Sequence, residues 1–331
     1  MKVEIIKKSE LGRELNFIVE KEVVDETKRK ILDEIKKDAE IDGFRKGKAP
    51  DDLIEKRYSS AIQEQLLRKL VTDSYINAIK ENNLNSIVEP DIYDVKFDDN
   101  GNLLFKAYIE EKPDVKIEKY KEIPVKKVKP KEVTEKMVED VLKEWEKTPE
   151  MKVALIDMEK RKAWKEKARE QLIAYSKARA EMEEEKQLWD ELMKNIKFPV
   201  PEKLVNERAI RYTEEQLKAM NLENKSKEEV EKIAKEIFQK VKPMAEEDVK
   251  KYFILEKISE LENINVDEKD VEERIEHISR VIGQPYEKIK EQIEKNGEME
   301  NLKEEIKIDK TFRFIKENAN MIERIILPGE K

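Results

Sequence analysis

From Asn102 to Ile282 the chain runs for 181 residues without a glycine. That one feature excludes much of what a chain of this size could build. Hairpin turns and tight loops draw on positive-φ conformations, which glycine adopts at little steric cost. A small β domain inside this span would have to turn every corner without it. Long helices have the opposite need, since a glycine in a helix interior costs about 1 kcal/mol relative to alanine. The span is therefore expected to be helical. Composition agrees, because 44% charged and 38% hydrophobic residues supply helices with one buried stripe but not a large sheet covered on both faces. At 331 residues the chain also exceeds the roughly 250–300 residues at which single cores stop growing, so two or more structural units are expected.

The first 112 residues carry a different pattern. Val3 and Ile5, then Leu15, Phe17 and Val19, recur as strand residues do, over about 2–8 and 13–23. Asp25 offers an N-cap for a helix over about 26–40, with Ile31, Leu32 and Ile35 at helical spacing and an end at Gly43. Pro50, Asp51 and Asp52 open another helix, which runs to about Asn82. Strands near 87–97 and 103–111 flank Asp98-Asp99-Asn100-Gly101, a hairpin turn signal. Residues 113–132, with Pro113, Pro124, Pro130 and seven lysines, read as an extended linker or strap. Helical periodicity then predicts helices over 133–147, without a break over 150–198, and over 202–221, 226–262, 267–282, 284–296 and 298–326. The expected fold class is α+β: a small N-terminal α/β domain at 1–112, the linker at 113–132 and a mostly all-α domain at 133–331.

Several kinds of chemistry lack the residues they need. There are no cysteines, which removes thiolate metal sites and cysteine nucleophiles. The one histidine, His277, lies four residues after Glu273 and reads as an exposed helical pair rather than a ligand. No glycine loop of the nucleotide-binding kind occurs. The abundant acid pairs, such as Glu246-Glu247, read as solvated faces. The sequence thus offers no catalytic residue, no metal site and no cofactor. With no apolar run of about 18 residues, no membrane is expected as a partner. The N-terminus lacks a secretory pattern, and a cytoplasmic location is expected. A net charge of −8 argues against a surface that coats nucleic acid generally, though not against a local basic patch.

One such patch stands out. Gly43-Phe44-Arg45-Lys46-Gly47-Lys48-Ala49-Pro50 places an aromatic and three cations in eight residues, with no acid. Two glycines and a helix-starting proline predict a helix–loop–helix tip with Phe44, Arg45, Lys46 and Lys48 turned outward. Residue chemistry alone leaves two readings open, a glycine-capped helix end with a solvated turn or an aromatic–cation contact site for phosphates and protein.

The order G-F-R-K-G-K-A-P resembles the ribosome-docking signature G-F-R-x-G-x-x-P of the trigger factor family of nascent-chain chaperones. The element order of 1–112 resembles that family's ribosome-binding domain, and 133–331 resembles its multi-armed, client-cradling domain. The resemblance implies docking at the exit tunnel of the large ribosomal subunit, against ribosomal protein and rRNA. It assigns the contact to Phe44, Arg45 and Lys46, the framework to Gly43, Gly47 and Pro50, with Lys48 adding charge. It further implies unfolded nascent polypeptides as clients, held without ATP by apolar inner faces of the arms, and a homodimer off the ribosome as a way of covering those faces. Most of the family carries an FKBP-type prolyl isomerase domain between these two regions. The glycine-free run leaves no place for its turns, so that domain is expected to be absent and the chain not to be an enzyme. The residues lining the client surface stay unassigned. Nine of ten methionines lie beyond residue 113 and suit either adaptable client contacts or gaps between helices. A ribosome-independent holdase or assembly scaffold, and a prolyl isomerase, are the other readings.

Overall fold

The computed structural model describes residues 1–41, 44, 45, 47–194, 196–220, 222 and 225–323, the side chains at 153 and 154 excepted. Four strands, β1 (Lys2–Lys7), β2 (Gly12–Val19), β3 (Asp91–Phe97) and β4 (Leu103–Glu110), form an antiparallel sheet in the order β1-β2-β4-β3. Strand alternation puts Leu15, Phe17 and Val19 on the same buried face as Leu103, Phe105, Ala107 and Ile109. Phe17 lies opposite Phe105, their rings stacked at 4.3 Å. Two helices, α1 (Lys21–Asp38) and α3 (Ser59–Glu81), cover this face with Val24, Ile31, Ile62, Leu66, Leu70 and Ala78. Between them lies α2 (Asp51–Arg57).

The first helix departs from its sequence reading. It begins at Lys21, not after Asp25, because the Asn102 side chain accepts the Lys21 N–H at 3.0 Å. Asn102 is itself fixed by Asp98 in the β3–β4 turn. The helix stops at Asp38, short of Gly43. The helix expected after Pro50 is two helices, parted at Tyr58, where φ is −113° and ψ 21°.

By contact the chain divides into two compact units that interleave in sequence: Met1–Asp114 with Phe198–Lys251, and Val115–Lys197 with Tyr252–Lys331. Residues 198–251, which the sequential division assigns to the helical domain, group with the N-terminal sheet. They contain α7 (Glu202–Lys218) and most of α8 (Lys227–Leu261). The N-cap of α7, Pro201, brings no capping side chain. Instead the buried Glu110 carboxylate at the end of β4 accepts the Lys203 N–H at 2.9 Å. The Lys203 ammonium reaches Asp91 at 2.6 Å and the Glu89 carbonyl at 2.7 Å. A sheet carboxylate thus satisfies a first-turn donor of the helix and complements its dipole.

In the second unit α4 (Glu135–Trp145), α5 (Pro149–Ala154) and α6 (Met158–Met193) close on Val138, Leu142, Leu155 and Ala168. Trp145 and Trp164 meet edge to face at 5.7 Å. The unbroken helix expected over 150–198 is interrupted at 155–157, where Asp157 caps α6 by accepting the N–H groups of Glu159 and Lys160. Three further helices, α9 (Glu268–Ile282), α10 (Tyr286–Asn296) and α11 (Met299–Glu317), pack on Ile275, Ile289, Leu302 and Ile306. The strap is not merely extended. Its β5 (Pro124–Lys126) pairs in parallel with β6 (Asn320–Ile322), so the helix expected over 298–326 ends at Glu317. Gln187 on α6 mimics a third strand, accepting the Lys126 N–H at 3.0 Å and donating to its carbonyl at 3.1 Å. Among the described residues no helix is long and apolar enough to cross a membrane.

Candidate functional site: a basic loop and apolar helix faces

The loop between α1 and α2 is tied down on both sides. Beneath it Ala39, Ala49 and Ile54 are buried together with parts of Leu32, Ile35, Ile41 and Tyr58. The Tyr58 hydroxyl accepts the Glu40 N–H at 3.2 Å and lies 3.3 Å from the Glu40 carbonyl. Lys36 and Asp51, one on each side of the loop, pair at 2.6 Å. Within the loop the Phe44 N–H donates to Ile41 and the Lys48 N–H to Arg45, both at 3.0 Å. Gly47 takes φ +76° in open space, a conformation that costs an L-residue about 1–2 kcal/mol.

This anchoring presents the tip to solvent. Phe44 is 45% exposed, and Arg45, Lys48 and Pro50 are exposed beside it. Among the described residues neither Arg45 nor Lys48 forms an ion pair. Gly43 and Lys46 lie outside the described residues. An apolar ring with unpaired cations around it, on a short pinned loop, can enter a shallow apolar site while the cations meet phosphate or carboxylate oxygens.

Apolar surface also appears on the helices, and the sequence reading did not place it. A cavity of about 350 Å³ opens between α7 and α8, lined by Ile210, Thr213, Leu217, Ala234 and Phe238, with Glu214, Lys235 and Gln239 completing the wall. Ile210 and Leu217 are seven residues apart, Ala234 and Phe238 four, which is same-face spacing on a helix. That signal was legible; that the stripe stays open was not. Of the nine methionines beyond residue 113, Met137, Met158, Met182, Met220, Met244 and Met321 are exposed, so surface rather than gap-filling positions dominate. Trp189 on α6 stacks on Phe312 of α11 at 5.3 Å.

Other candidates dissolve. His277 is exposed on α9, and the Glu273 carboxylate lies 3.7 Å from Lys269 instead. Among the described residues no group of three His, Cys, Asp or Glu side chains could hold a metal ion. In the strap Lys121 pairs with Glu262 at 2.7 Å and Lys127 with Glu323 at 3.4 Å.

Comparison with known proteins matches this arrangement in two stretches. The family model described as bacterial trigger factor protein matches residues 1–145, and that of the bacterial trigger factor protein C-terminus matches 162–317. The trigger factor of Solibacter usitatus is 36% identical over 140 residues, 42% of this chain and 32% of its own. That of Desulfotalea psychrophila is 34% identical over 93 residues, 28% of this chain and 21% of its own. That of Citrifermentans bemidjiense is 33% identical over 144 residues, 44% of this chain and 33% of its own. The matched stretches therefore span about a fifth to a third of these relatives. A solved structure reported under "Promiscuous Substrate Recognition in Folding and Assembly Activities of the Trigger Factor Chaperone" aligns with a TM-score of 0.54. The alignment covers 96% of this chain and 99% of that one at 14% identity, a likeness of fold.

Proposed function

The chain belongs to the trigger factor family, and on that premise we propose that it is an ATP-independent chaperone that docks at the nascent-chain exit of the large ribosomal subunit and shields new polypeptides. The observation that carries the docking half is the 43–50 loop, whose pinned base holds Phe44, Arg45 and Lys48 out to solvent. In this reading Phe44 fills a shallow apolar site, while Arg45, Lys46 and Lys48 pair with rRNA phosphates and acidic groups of a ribosomal protein. Gly43, Gly47 and Pro50 shape the loop. Charge contacts of this kind make affinity fall steeply with salt.

The shielding half rests on the open α7–α8 cavity and the exposed methionines. Flexible thioethers fit many apolar sequences, each weakly, as release without a nucleotide cycle requires. Pairing of two copies away from the ribosome would cover the same faces. Catalysis has no part in the proposal: only sixteen residues separate the two family-matched stretches, far fewer than the roughly 40 below which a domain needs staples to fold. The place of work is the cytoplasm, where ribosomes are.

Co-sedimentation with vacant 70S ribosomes at low and high salt tests the docking. Wild type should pellet at low salt and detach at high salt, and Phe44→Ala/Arg45→Ala/Lys46→Ala should stay in solution. Equal pelleting of the two would move the contact elsewhere. A proline-peptide assay should show no acceleration of isomerisation, and clear catalysis would restore the enzyme reading.

A further inference from the structure

The residues between the two family-matched stretches, 146–161, carry the two most exposed large apolar side chains among the described residues. Ile156 is 77% and Met158 86% exposed. They flank Asp157 in the turn between α5 and α6, so both project from one short tip.

That tip is held rigid from three directions. Leu155, the residue before Ile156, is buried in the small core of α4 and α6. Asp157 closes the first turn of α6, accepting from the main chain of Glu159 at 3.0 Å and Lys160 at 3.2 Å. Arg161 reaches back to α4 and its end, meeting Glu139 and Glu146 at 3.0 Å each. Two apolar side chains carried on a main chain that is already ordered ask for no backbone ordering when a partner covers them, which leaves more of their burial for affinity.

Size and charge select the partner. Two side chains fall far short of the roughly 800 Å² per partner of a stable protein interface, so a second copy of the chain is too large an occupant for this patch. The segment 146–161 holds four acids and four bases. An anionic membrane is captured by clustered lysines and arginines, and a neutral tip offers it nothing. A short apolar stretch of an extended, unfolded polypeptide fits both constraints. We propose that the Ile156/Met158 tip is a client-contact point of the helical region, which rests on the client-shielding reading above and gives it a specific site.

Because the chain has no cysteine, Met158→Cys carries a single environment-sensitive fluorophore on the whole 331-residue chain. The partner is a permanently unfolded protein, reduced and carboxymethylated α-lactalbumin, whose binding is followed independently through its own label. The expected result is a blue shift at position 158 that saturates with client binding. Ile156→Ser/Met158→Ser should bind the client about 3- to 10-fold more weakly, with an unchanged circular dichroism spectrum. Client binding with a silent probe and an unaltered double variant would overturn the tip assignment and leave client shielding intact. Absence of any client binding would overturn both. A blue shift that follows protein concentration, or added liposomes, without client would replace the polypeptide by a second copy or a membrane and so refute the proposal.

Discussion

The core under the N-terminal sheet and two helical clusters of the second unit differ in size. Thirteen buried residues, from Leu15 to Ile109, form one continuous core between the sheet and its helices. The α4–α6 cluster closes on four buried residues and the α9–α11 cluster on another four. The thick core holds α1, the helix that leads into the 43–50 loop. Beside these small clusters Met158, Met182, Val281 and Ile282 stay on the surface, and ion pairs cross between α4 and α6. Arg161 bonds to Glu139 and Glu146, and Lys165 to Glu135 and Glu139.

The largest effect should come from the thick core. Phe17→Ala removes one of two stacked rings at a fully buried position and should cost about 3–5 kcal/mol. All three tryptophans lie at 145–189, so their emission reports the other unit. The loss should therefore appear in urea unfolding followed by circular dichroism and leave the tryptophan-detected transition in place; a shared shift of both would join the two regions into one cooperative unit. Leu142→Ala, fully buried beside Trp145 and Trp164, should cost about 2–3 kcal/mol with the reverse signature, a red-shifted emission at lower urea. Gly47→Ala meets no atom within 4 Å but keeps φ +76°, so strain alone should cost about 1–2 kcal/mol, visible as a small drop in Tm with weakened ribosome pelleting.

The smallest effect is electrostatic. Lys165 holds the Glu135 carboxyl, and Arg161 holds that of Glu139, below the ordinary value of 4.5. Carboxyls with lowered folded values stabilise above the unfolded value, and that contribution fades as the pH falls through the lowered ones. The tryptophan-detected Tm should thus hold from neutral pH to about 4.5 and decline below it, and Arg161→Met should flatten the part of that decline owed to Glu139. Since these groups are solvent-accessible, added salt should weaken the effect too.

How much the sequence disclosed depended on how local each cause was. The hairpin at Asp98–Gly101 and the helix opening after Pro50 are written in neighbouring residues, and both stand where their turn chemistry puts them. The start of α1 is not, because its capping oxygen comes from Asn102, 81 positions away; Asp25 offered a plausible local cap, and the distant one prevailed. The β5–β6 pairing joins residues nearly 200 positions apart, and no pattern within Asn320–Ile322 announces it. The interruption before α6 was legible, since Asp157 between apolar neighbours is an N-cap signal, but helical periodicity on both sides masked it. At the candidate site the G-F-R-K-G-K-A-P order pointed to Phe44 and Arg45 directly. Ile156 and Met158 fall inside the helix expected over 150–198, and only the turn that breaks it turns them outward.

On the proposed function, the tip of the 43–50 loop touches the ribosome beside the nascent-chain exit. A photoreactive benzoylphenylalanine at position 44, in the full chain mixed with translating ribosomes, tests it most directly. Adducts are expected with a large-subunit protein or rRNA at the exit, lost in high salt and on substitution of Arg45 and Lys46. Ribosome binding that persists while position 44 yields no large-subunit adduct would contradict it.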